Sequence, residues 1–148
     1  MLIDTLKTLF SRDLAKLKSE IEQYQQEEKI WYVEKNIANS AGNLCLHLVG
    51  NLNTFIGADF GATGYIRDRD LEFSAKNVPR PELIQQITET AKIVDTTLGQ
   101  LTAEQLQAEC PVQRFEQKVS TEYLLVHLAM HLSYHLGQVN YHRRLLDE

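Results

Sequence analysis

STEYLLVHLAMHLSYHLGQVNYHRRLL, residues 120 to 146, is the longest helical pattern in the chain. Its apolar residues recur every three or four positions, which predicts a helix that buries one face, and Ser120 is placed to cap its start. Two of the seven inward positions are histidines, an unusual content for a core and the first sign of chemistry. The inward row is Leu125, Leu128, Leu132, His135, Val139, His142 and Leu146.

Four of the five histidines lie in this helix and share one face. At about 100° per residue, His127, His131 and His135 advance by about 40° each. Residues four apart lie about 6 Å apart along the axis, so His131 and His135 can converge on one metal ion. The alternative is a pH-sensitive or simply polar seam. His127 is predicted to line the pocket, and His142 to be structural or to lie at a dimer surface.

Three further helices are predicted upstream. The first covers about residues 2 to 25, and the second begins after Asn39 or Ser40 and ends at Gly57. Pro81 suits the first turn of the third, whose apolar row contains Ile84, Ile87, Ala91, Val94, Leu98 and Leu101. Residues 112 to 119 offer only a short extended piece. The sequence therefore predicts an all-α protein, a four-helix bundle forming a single domain over residues 1–148.

His47 lies on the inward row of the second helix, within a polar row formed with Asn43 and Asn51. A lone inward histidine is usually structural. If the second and last helices pack together, however, His47 joins His131 and His135 in a three-nitrogen site with open coordination positions, as in catalytic metal sites. The asparagines either orient ligands or anchor a loop.

A long connection, residues 57 to 79, separates the second and third helices and is rich in glycine and charge. Structureless connections of this length are uncommon in compact domains and are often functional. The length also permits a crossover, so the two helices need not be antiparallel. The run Arg67 to Asp70 either guards a pocket or forms a solvated loop.

Composition and missing motifs exclude several functions. The net charge of −5 and pI near 5.5 argue against nucleic-acid and anionic-membrane binding. Two cysteines and no leader or bilayer-spanning pattern indicate a reduced, cytoplasmic protein. HLSYH lacks the glutamate of zinc proteases, and no Glu-x-x-His pair supports a di-iron centre. Cys45 points about 200° away from His47 on the helix, which excludes it from the site.

The segments NSAGNLCLHLVGN, RDRDLEF and HLAMHLSYHLGQVNYHRRLL occur in an order that resembles the DinB/YfiT-like superfamily of four-helix-bundle metalloproteins. Shared features are one ligand histidine on an early helix, a long crossover, and a last helix bearing H-x-x-x-H followed by Gly-Gln. The resemblance covers essentially the whole chain and is closest to an uncharacterised subfamily. It implies an up-down-down-up bundle with His47, His131 and His135 as metal ligands, and a homodimer.

The resemblance also implies a chemistry. Zinc or nickel is the expected ion, with manganese or iron as alternatives. Relatives include transferases and isomerases that use bacillithiol, mycothiol or glutathione, so a low-molecular-weight thiol activated by the metal is the expected nucleophile.

The sequence thus supports a metal-dependent transferase or hydrolase acting on a small-molecule substrate, with its catalytic residues unassigned. Supporting contacts or pocket walls are expected from His127, Asn51, Tyr134 and Gln138. One alternative is a non-catalytic metal-binding or dimeric stress-response module. Another is a bundle that binds no metal at all.

Overall fold

The computed structural model describes all residues from Met1 to Glu148 and contains helices but no β-strand. The predicted all-α class is confirmed, and no strand forms between residues 112 and 119. A 3-10 turn, Glu27–Trp31, follows the first helix. The helices are α1 (Leu2–Gln23), α2 (Ala41–Leu52), α3 (Arg69–Ser74), α4 (Arg80–Gly99), α5 (Ala103–Gln107) and α6 (Thr121–Leu146).

Side-chain caps fix where α2 and α6 begin. Ser40 Oγ accepts a hydrogen bond from the backbone N–H of Asn43, and Ser120 Oγ accepts one from the N–H of Tyr123. Both residues were predicted as caps, although Asn39 was an equal candidate for α2. Each cap therefore satisfies one of the free backbone N–H groups in the first turn of its helix.

The predicted end of α2 at Gly57 is wrong. A π-helical segment, Asn53–Ala58, and one α-helical turn, Asp59–Gly61, carry the helix onward until Ala62 adopts a left-handed conformation at φ 51°. Asn53 stabilises the π segment by donating to the Val49 carbonyl and to Thr90 Oγ1. The connection after α2 is consequently shorter than predicted, and α3 forms inside it.

One hydrophobic core joins the long helices. α1 packs against α4 and α6, and α2 packs against α3, α4 and α6. This packing brings α2 beside α6, which the metal-site hypothesis required. The up-down-down-up order remains a prediction. No helix has both the length and the apolar character needed to cross a bilayer.

Candidate metal centre

Three histidines from two helices meet where α2 packs on α6. His47 is buried on α2, while His131 and His135 are half-buried one turn apart on α6. One nitrogen from each ring lies within 4.8 Å of the other two. The structure therefore positions these three side chains so that they could hold a metal ion.

The closest pair has a spacing suited to one ion. Nε2 of His47 lies 3.2 Å from Nε2 of His131. Two nitrogens bound tetrahedrally to zinc at about 2.0–2.1 Å lie about 3.4 Å apart. No cysteine or carboxylate joins the group, so the protein offers three donors only.

In His47 and His135, hydrogen bonds involve Nδ1, the ring nitrogen that faces away from the other histidines. Nε2, the inner nitrogen of each ring, is left for a ligand role. Nδ1 of His47 lies 3.1 Å from Glu72 Oε1 and 3.3 Å from Arg67 Nη2, and Nδ1 of His135 lies 2.7 Å from Gln138 Oε1. Because the carboxylate and amide oxygens can only accept, the contacts with Glu72 and Gln138 place a hydrogen on each Nδ1. These bonds favour the tautomer whose Nε2 lone pair is available. His131 Nδ1 is buried without a partner.

Burial favours the unprotonated form of two of these imidazoles, those of His131 and His47. It lowers the pKa of His131 to about 4, with further lowering by the neighbouring rings of His135 and His47. Burial also lowers the pKa of His47, and the contact with Glu72 only partly opposes this effect. Because a metal binds the neutral ring, both side chains are in the required state at neutral pH.

Two charged residues of the site were not among the predicted contacts. Glu72, on α3, is buried against His47, and its carboxylate is paired with Arg67. In the sequence, Arg67 begins the charged run Arg67 to Asp70, for which both a pocket-guarding role and a solvated loop were open, and Glu72 follows that run by two residues. The length of the connection and its charged run indicated that this segment could cover a pocket, but not that Glu72 contacts His47.

The four predicted supporting residues have different positions. Gln138 contacts His135 as described, and the exposed ring of Tyr134 lies 5.2 Å from the His135 ring. Asn51 is buried, and its Oδ1 has no hydrogen-bond partner. His127 is exposed and packs edge-on against Phe115 at 5.0 Å, outside the group of three.

His142 has a structural position. Tyr24 O–H donates to its Nδ1 at 2.7 Å, and its Nε2–H donates to the Tyr32 carbonyl at 2.8 Å. The ring therefore ties α6 to the segment after α1. Cys45 is also outside the site, as predicted, and burial raises the pKa of its thiol to about 12.

A cleft of about 510 Å³ has one of the three histidines, His135, in its wall. Its lining contains no formally charged side chain. Apolar and aromatic groups dominate, and three amides are also present: Asn36, Ile37, Ala38, Asn39, Leu44, Tyr134, His135, Gln138, Tyr141, His142 and Leu145. The cleft is large enough for a small molecule.

The fold and the site define an all-helical protein with three histidines positioned to hold a metal ion. The chain belongs to the family described as "Protein of unknown function (DUF1572)", whose family model matches residues 2–148. A comparison with curated proteins found no match.

Proposed function

We propose that this protein is a divalent-metal-dependent enzyme, a thiol-dependent transferase or a hydrolase, acting on a small-molecule substrate. His47, His131 and His135 would be its metal ligands. The observation that carries the proposal is the convergence of three imidazoles with no fourth protein ligand beside a cleft. Three protein ligands with coordination positions left over are typical of catalytic metal sites, whereas structural sites are closed.

The donor set fits zinc or nickel best, with manganese or iron as alternatives. Imidazole suits several first-row metals, and selectivity depends on geometry and supply. When bound, such an ion supplies Lewis acidity and lowers the pKa of a coordinated thiol or water. Among the protein's own residues, Glu72 contacts the outer nitrogen of His47 and Gln138 contacts that of His135.

The uncharged cleft would receive the apolar part of the substrate. Ile37, Leu44 and Leu145 can bury such a group and exclude water beside His135. The amides of Asn36 and Asn39 can orient it by hydrogen bonds.

We place the family in the DinB/YfiT-like superfamily, as a single up-down-down-up domain over residues 1–148. Support comes from the all-helical fold and from the three histidines in the expected helices. Cytoplasmic location is part of the proposal, because both cysteines, Cys45 and Cys110, are unpaired. The acidic net charge supports the absence of nucleic-acid and membrane partners.

Homodimer formation is also proposed. Large apolar side chains are exposed along one face of α6, at three-, four- and seven-residue spacing, and such a stripe is typical of an interaction surface. They are Tyr123, Val126, Met130, Tyr134, Tyr141 and Leu145. The last three also line the cleft, so the proposed interface would run along its edge.

Elemental analysis of tag-free protein tests the metal proposal. After dialysis without chelator, the wild type should retain about one divalent ion per chain. His47→Ala and His131→Ala should both lose it. His127→Ala is the matched control, since it removes an imidazole from the same helix but outside the group of three, and it should keep the ion.

The same proteins separate the alternatives. Metal-dependent turnover in a screen of thiol-transfer and hydrolysis substrates supports the enzyme. Bound metal with no turnover in any substrate class favours the non-catalytic binding module. A wild type without metal, even after supply of zinc, nickel, manganese and iron, contradicts the metal centre.

A further inference from the structure

The Glu72 carboxylate lies on the side of His47 that faces away from the other histidines. Its Oε1 is 3.1 Å from Nδ1 of His47, whereas Nε2 of the same ring faces His131. Glu72 is 6% exposed. It therefore cannot share an ion with Nε2, but it can fix how the His47 ring is turned.

Arg67 compensates the buried charge of Glu72. Its Nε donates to Oε2 at 2.8 Å, and its Nη2 donates to Oε1 at 2.9 Å. A two-point pair of this kind fixes a carboxylate in orientation as well as in position. Burial of Glu72 is thus tolerated because the charge is paired on one side and hydrogen-bonded to His47 on the other.

Gly50 makes room for this carboxylate. A Cβ atom at Gly50 would lie 1.8 Å from Glu72 Oε2 and 2.6 Å from its carboxyl carbon. Gly50 follows His47 by three residues, so it lies on the same side of α2. Any larger residue at this position must displace Glu72 from His47.

Asn43 holds the backbone of the segment that carries Glu72. Its Nδ2 donates to the carbonyls of Glu72 at 2.9 Å and Ala75 at 2.8 Å. Asn43 lies one turn before His47 on α2. The helix that supplies the ligand therefore also fixes the segment that orients it.

We propose that Glu72 is a positioning residue of the metal centre, held by Arg67 and accommodated by Gly50, which sets the tautomer and rotation of His47. This inference rests on the proposed function, because it requires His47 to be a metal ligand. A carboxylate on the outer nitrogen of a ligand histidine makes the inner nitrogen more basic and fixes the ring. The segment between α2 and α4 thus takes part in metal binding without supplying a ligand.

Zinc affinity, measured by competition with a chromophoric chelator, tests the role of Glu72. Glu72→Gln keeps the shape of the side chain but removes its charge, and it should weaken zinc binding about 10- to 100-fold. The d–d absorption bands of Co²⁺ should also change, since they report the geometry of the bound rings. Glu20→Gln is the matched control, because Glu20 is a similarly enclosed carboxylate paired with Arg143 away from the site. It should retain wild-type zinc affinity and the wild-type Co²⁺ spectrum.

A second pair of variants tests whether the lack of a side chain at Gly50 is needed for Glu72 to reach His47. Gly50→Ala should weaken zinc binding to a degree similar to Glu72→Gln, because the new methyl group displaces the carboxylate. Gly137→Ala is its control on α6, where nothing lies within 4 Å of the new Cβ. This control should bind zinc as the wild type does.

The outcomes distinguish the inference from the proposed function. A wild type that binds neither zinc nor cobalt overturns the proposed function and the inference with it. A wild type that binds zinc while Glu72→Gln binds it equally well overturns the inference alone. Circular dichroism first establishes that each variant is folded. If Glu72→Gln does not fold, Arg67→Lys decides: weaker zinc binding supports the inference, and unchanged affinity overturns it.

Discussion

Burial and hydrogen-bond partners divide the histidines into three groups. His47, His131 and His135 present nitrogens to one another at the junction of α2 and α6. His142 is buried between two tyrosines, and His127 is exposed. Four of these residues share a helical face, so spacing alone could not separate them. The environment of each histidine on α6 depends instead on which neighbouring segment of the chain packs against its turn of the helix.

His142 should make the stability of the protein depend on pH. Burial lowers the pKa of its imidazole from 6.5, and the bond to the Tyr32 carbonyl opposes this only partly. The unfolded chain therefore binds a proton that the folded ring does not. The contribution of His142 is fully present above about pH 6.5 and is lost as the pH falls below this value towards the lowered pKa. Denaturant unfolding of the metal-free protein between pH 8 and pH 5 measures the effect.

One variant separates the effect of His142 on the pH dependence of stability from the effects of His47 and His131, whose pKa values are also lowered. His142→Gln should lose about 1–3 kcal/mol of stability at pH 8, because the polar groups of Tyr24 and Tyr32 lose their partner. It should also lose less stability than the wild type between pH 8 and pH 5. Equal pH slopes in the two proteins would refute the assignment.

At the scale of helices, local signals predicted α1 and α6 well. The apolar row of α1 predicted an end at about residue 25, and the helix ends at Gln23. Ser120 caps α6 as predicted, and Leu146 ends it. Thr102 and Gln105 form a capping box at the start of α5. These features depend on residues within one or two turns of each other, which a sequence displays directly.

Several other features that depend on tertiary contacts were not predicted. The buried row of α4 includes Leu83 and Thr90, whereas the predicted Ile84 and Ala91 are only half-buried. Thr90 is buried because it accepts from Asn53 in the π segment after α2. In the same way, Glu72 can be buried because its carboxylate contacts His47, which lies 25 residues earlier in the chain, and Arg67. A single sequence shows the residue types but not these pairings.

The attachment of α3 to α2 should depend on Asn43. Asn43→Ala removes two hydrogen bonds to the carbonyls of Glu72 and Ala75 and leaves those acceptors unpaired. We expect a loss of about 2–3 kcal/mol in the free energy of unfolding. Amide hydrogen exchange should rise in residues 69 to 75 more than elsewhere.

Asn140→Ala serves as the comparison for Asn43→Ala. Asn140 lies on α6 and donates one hydrogen bond, to Glu20. Its replacement should cost less stability and leave exchange in residues 69 to 75 unchanged. Identical exchange patterns in the two variants would contradict the anchoring role of Asn43.

For the whole molecule, the exposed apolar stripe of α6 predicts self-association. Met130, which is 68% exposed, lies near the middle of the stripe. If two copies bury this face, Met130→Glu should convert the dimer to a monomer in light scattering coupled to size exclusion. Val112→Glu adds the same charge at another exposed apolar site and should leave the dimer intact. A wild-type monomer at micromolar concentration would refute the dimer.

The core predicts how the protein responds to metal removal. Twenty-five buried hydrophobic residues form one cluster that contains none of the three histidines, so the chain should fold without an ion. Free zinc at about 100 times its Kd should add about 2.7 kcal/mol, raising the Tm by about 5–10 °C. His131→Ala should show no such rise, and its Tm should match in zinc and in chelator. Chelated wild-type protein should keep its helical circular dichroism and unfold cooperatively. Collapse of the helical signal in chelator would instead identify a structural site, because only there is the free energy of metal binding needed for folding.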